Sequence, residues 1–85
     1  MQIAGVWVHE DDVLELVVLL IRAGFHDVAA KLGDGIEVEA HMLGLTIDER
    51  AAMLRVLDDP PTEGLAQLRN VLLGDHDWFR EQGLI

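Results

Sequence analysis

The chain is predicted to fold as a mainly helical α+β domain, with four to five short helices and a small two-stranded sheet that a second chain could complete. Three observations carry this reading. Val13 to Ala23 is almost wholly apolar and lies between the acidic run Glu10-Asp11-Asp12 and Gly24. Ile36, Val38, Ala40 and Met42 alternate with Glu37, Glu39 and His41, the period of a half-buried strand. Thr46 followed by Glu49 has the spacing of a helix capping box.

The elements follow in order along a single domain spanning residues 1–85. Met1 to Val8, with Ile3, Val6, Trp7 and Val8, suits a short strand. A helix is expected from Glu10 to Ala23: acids favour its positive dipole end, Gly24 can take the left-handed position after it, and Phe25 would pack back on Leu20. Only Glu15 and Arg22 interrupt its apolar surface, and seven residues apart they share one stripe. The rest of its circumference is expected to be covered, by the chain itself or by a partner. A short helix, His26 to Leu32, should stop at Gly33, with Asp34-Gly35 as a turn before the alternating strand.

From Thr46 to about Leu57 a third helix should bury Ile47, Ala51, Leu54 and Leu57. Asp59, ahead of Pro60 and Pro61, is expected to cap a fourth helix with Leu65, Leu68 and Leu72 on its apolar face. Gly74 should end that helix, and Asp75 should cap a last short one from His76 to Gln82. Gly83 and Leu84 would then repeat the Gly24-Phe25 ending, with Leu84 placed against Phe79.

Composition narrows the function classes. Sixteen acids against six bases leave a net charge of −10, while 51% of residues are hydrophobic, enough apolar surface to expect folding rather than disorder. The apolar run is about half the ~20 residues that cross a bilayer, so no membrane role is expected. The start carries no basic residue, unlike a secretory leader, and cysteine is absent, which fits a cytoplasmic protein. Direct nucleic-acid binding needs a basic footprint; here Arg50, Arg55 and Arg69 are diluted by Asp48, Glu49 and Glu63.

Catalytic chemistry is poorly supplied, and no catalytic residue or cofactor is assigned. The chain has no Ser, Cys or Tyr, Thr46 and Thr62 sit where helices begin, and Lys31 has Asp27 four residues before it as a surface ion-pair partner. Histidine stands beside carboxylate at His9, His26, His41 and His76. The best local set, Glu37, Glu39 and His41 on one strand face, spans about 13 Å between its ends, too far to close on one metal ion. No metal is expected.

Two functional readings remain. In the first the protein is a non-enzymatic interaction module that binds a protein partner or itself, as a homodimer, with Trp7, Val17, Leu20 and Trp78 as apolar anchors. In the second it is an acidic antagonist of a basic, nucleic-acid-handling protein, with Glu37, Glu39, Asp58, Asp59, Asp75 and Asp77 as recognition charges.

Overall fold

The computed structural model describes residues 1–39 and 41–85. The described residues form four helices and a small three-stranded mixed sheet, so the fold is mainly helical α+β. The chain begins with a hairpin: β1 (Gln2–Ile3) pairs antiparallel with β2 (Val6–Trp7), Gln2 opposite Trp7 and Ile3 opposite Val6. Ala4 and Gly5 between them both have positive φ, +53° and +81°, the requirement of a tight type I′ connection. The single strand expected over Met1 to Val8 is therefore two. Ile3 and Val8 point into the core.

Helix α1 (Glu10–Arg22) starts where expected, with His9 Nδ1 accepting from the Asp11 amide and three acids in the first turn. It ends in a Schellman motif. Gly24 sits at φ +88°, its amide donates to the Ile21 carbonyl, and the Phe25 amide donates to that of Leu20 at 2.9 Å.

Helix α2 (His26–Glu37) runs five residues beyond the expected stop, through Gly33, Asp34 and Gly35. A glycine inside a helix costs only about 1 kcal/mol, and the burial of Val28, Ala29, Leu32 and Gly35 along one face outweighs it. Gly35 also lets Met1 approach: a Cβ there would meet the Met1 methyl at 2.9 Å. The strand expected from Ile36 is thereby displaced. Ile36 and Glu37 close α2, Ala40 lies outside the described residues, and only β3 (Met42–Leu43) is extended. It pairs parallel with β1, completing the sheet within the chain in the order β2-β1-β3.

Helix α3 (Ile47–Val56) carries the capping box: the Glu49 amide donates to Thr46 Oγ1 at 3.1 Å and the Thr46 amide to Glu49 Oε1 at 2.8 Å. Its buried side is Ala52, Met53 and Leu57; Ala51 is exposed, and Ile47 and Leu54 are half-buried. Apolar residues on every side of this helix left its orientation to tertiary packing. Helix α4 (Glu63–Glu81) is one helix in place of the two expected, passing through Gly74. Its cap is Thr62, whose hydroxyl accepts from the Leu65 amide, and not Asp59. Leu65, Leu68 and Leu72 are fully buried, and the Leu84 amide closes the end on the Phe79 carbonyl at 2.9 Å.

All four helices and the hairpin feed one core, in which Ile3, Leu16, Leu20, Leu32, Met53 and Leu68 are among the fully buried side chains. Asp12 adjoins Gly64, so α4 starts beside the first turn of α1. The glycines inside helices give a direct test of the two continuous helices. A Cβ at Gly33 or Gly74 would meet nothing within 4 Å, so Gly33→Ala and Gly74→Ala are each expected to stabilise the fold by about 0.5–1 kcal/mol. Chemical denaturation of either variant checks this, and a loss of stability would mean the helix breaks there.

Candidate interaction surface

The α1 sequence makes more apolar surface than its neighbours cover. Val13, Leu16 and Leu20 turn into the core and Val17 and Leu19 are half-buried. Leu14, Val18 and Ile21, spaced i, i+4 and i+7, form a second stripe rotated about 130° from the first. They are 48%, 42% and 47% exposed. The expectation that only Glu15 and Arg22 face water is therefore corrected. Three other helices of so short a chain pack one side of α1 and cannot surround it.

The four expected anchors lie in different places. Leu20 is fully buried in the chain's own core, so its side chain belongs to folding and offers nothing to a partner. Val17 is half-buried on the flank between the core stripe and Leu14-Val18-Ile21. Trp7 is 67% exposed on the edge strand β2, and Trp78 is exposed near the end of α4, on the same stripe as Val71. Trp78 meets Phe79 edge to face, with centroids 5.5 Å apart, and the Arg50 guanidinium stands 5.5 Å from the Phe79 centroid. Trp7 borders the start of α1, whereas Trp78 lies fourteen residues beyond Gly64, about 21 Å along the helix. The two tryptophans stand on different elements, Trp7 on β2 and Trp78 on α4.

The six acidic candidates are also dispersed. Glu37 ends α2 and Glu39 follows it; Asp58 and Asp59 are exposed before α4. Asp75 is committed within the chain, its Oδ2 accepting from Arg50 at 2.6 Å, while Asp77 is exposed. From the start of α4 to Asp75 is about 18 Å along the helix, so these residues form several small groups. Among the described residues no three His, Asp or Glu side chains are grouped to hold a metal ion.

Ion pairs instead fasten α3 to its neighbours. Lys31 Nζ donates to Glu49 Oε1 at 2.8 Å, in place of the Asp27 pairing expected within α2. The Glu49 side chain is only 18% exposed. Burial works to raise its carboxyl pKa, but the Lys31 hydrogen bond, the Thr46 amide and hydroxyl, and the Lys31 charge together hold it below the ordinary 4.5. A depressed carboxyl pKa contributes stability above the ordinary value and loses it as pH falls through the folded value. Glu49→Gln is therefore expected to cost about 1 kcal/mol at neutral pH, and that deficit should shrink below the ordinary 4.5 and vanish once the pH has fallen through the depressed folded value. Urea unfolding of both proteins across this range checks it; a deficit independent of pH would assign it to packing.

The residues missed in the sequence are Leu14, Val18 and Ile21. Their signal was present as a second helical stripe beside Val13, Leu16 and Leu20. Among the described residues no helix is long and apolar enough to cross a membrane. Comparison with family models, curated proteins and solved structures returns no match.

Proposed function

We propose that the chain is a non-enzymatic protein-interaction module that self-associates through the outer stripe of α1. The observation that carries the reading is Leu14, Val18 and Ile21 standing in water on a helix held by a cap at each end. Between Leu16 and Ile21 no charged side chain interrupts α1, so apolar contact between two copies centres on Val18, with Glu15 and Arg22 one turn to either side. Trp78 is a further exposed aromatic available to such contacts, and a cytoplasmic setting suits a chain without cysteine.

Each copy brings a charge of −10 to the encounter. Association driven by apolar burial must overcome that repulsion, and salt screens it. Sedimentation equilibrium over a micromolar concentration range should therefore show a dimer that strengthens between about 50 and 500 mM salt. A strict monomer throughout would overturn the proposal. The reading as an acidic antagonist draws its support from the exposed carboxylates at Glu37, Glu39, Asp58, Asp59 and Asp77, and it carries the opposite signature, since binding to a basic partner weakens with salt.

A further inference from the structure

A cleft of about 420 Å³ opens between the hairpin, the start of α1 and the end of α2. That volume falls in the range of small-ligand sites. Its inner wall is apolar, from half-buried Met1 and Ile36 and fully buried Val13; Trp7, Glu10 and Glu39 are exposed around it. Gly35, His9 and His41 complete the lining; it holds no lysine or arginine, and the Met1 α-amino group, which donates to the Val8 carbonyl at 3.5 Å, is the basic group beside it. The negative dipole end of α2 faces the same region, and the last turn of α2 contains no basic residue to neutralise it.

One backbone detail singles out Glu39. Left-handed residues follow three of the helices: Gly24 after α1, Gly83 after α4, and Glu39 after α2, with φ +51°. The Glu39 amide donates to the Ile36 carbonyl at 3.1 Å, as the residue after a helix cap does. Two ends thus use the residue that adopts this conformation freely. The third holds a carboxylate there at a cost in stability, and that carboxylate lines the cleft.

We propose that this cleft binds an organic cation, a guanidinium or ammonium group on an alkyl stem. The stem lies along Met1 and Ile36, while the charged head meets the face of Trp7 and the carboxylates of Glu10 and Glu39. Aromatic surface and two lining acids beside an apolar wall supply the three things such a cation needs: a π face, countercharge and cover for its methylenes. The site is separate from the outer stripe of α1 and stands whether or not the chain dimerises.

The test is titration at pH 8, where an ordinary imidazole is uncharged, followed through the Trp7 indole and backbone amides by NMR. Three probes are used: agmatine, an unstructured peptide containing one arginine, and the same peptide with neutral citrulline. Saturable shifts confined to the cleft are expected with one or both cations and not with citrulline. Tighter binding of agmatine points to a free metabolite, and tighter binding of the peptide to a partner's arginine. Glu39→Gly should weaken the cation about tenfold while raising the melting temperature, because glycine relieves the left-handed backbone. Glu39→Gln should weaken it similarly without that rise. Equal response to citrulline, no saturable response, or unchanged affinity in both variants would overturn the assignment.

Discussion

Replacing Leu20 with alanine is expected to lower the stability of the folded chain by about 3–4 kcal/mol, the middle of the range for leucine in a closed core. The side chain is fully buried among residues from every helix. Its backbone carbonyl accepts the Phe25 amide that ends α1, so the residue stands where the helix stop and the core meet. A domain of this size has about 5–15 kcal/mol in total, and this one change would remove a large share of it. Urea unfolding at low micromolar concentration should show a lower midpoint with an unchanged slope. A loss under about 1 kcal/mol would mean that Leu20 is not packed by its own chain.

Leu20 also shows how far the sequence could be read. The nine apolar residues from Val13 to Ala23 establish a helix with too much grease for one face. They do not say which third of the circumference is the core. That depends on how many neighbours reach α1, which is a property of the other 70 or so residues. Leu20 and Val18 look equally suited to an interface in the sequence, yet one is sealed in the core and the other is 42% exposed.

Local hydrogen-bond chemistry was the most legible part of the fold. The Thr46-Glu49 box and the endings at Gly24-Phe25 and Gly83-Leu84 are contacts between near neighbours, so spacing alone predicts them. Glycines inside helices were misread for the converse reason. At Gly33 and Gly74 a penalty of about 1 kcal/mol competes with burial of Leu32 and Leu72 in the core, and burial prevails. Ile36 presents a different ambiguity: it begins an alternating run and also stands four residues after Leu32, so it fits both periods. Helix continuation decides it. The parallel pairing of β3 with β1 joins segments about 40 residues apart, and nothing local to either encodes that contact. The cleft shares this limit, since Trp7, Glu10 and Glu39 come to line one cavity only once α1 and α2 have folded back on one another.

Val18→Glu is expected to separate association from folding. The side chain is exposed at the centre of the outer stripe, so the monomer should change by no more than about 0.5 kcal/mol. Inside a dimer the same carboxylate would leave water with only Arg22, one turn on, to offset its charge, at a cost of about 3 kcal/mol. That corresponds to a self-association constant weakened roughly a hundredfold or more. Extra negative charge alone would also weaken pairing of an acidic chain, so Ala51→Glu, on an exposed position of α3, serves as the matched control. It carries the same net charge on a different face and should shift the constant only slightly, and less still at high salt. Sedimentation equilibrium of the three proteins distinguishes the two causes. Equal weakening by both variants would make long-range repulsion responsible and remove the α1 stripe as the contact. Weakening confined to Val18→Glu would fix the surface by which two copies meet, because only burial makes the position of one carboxylate matter.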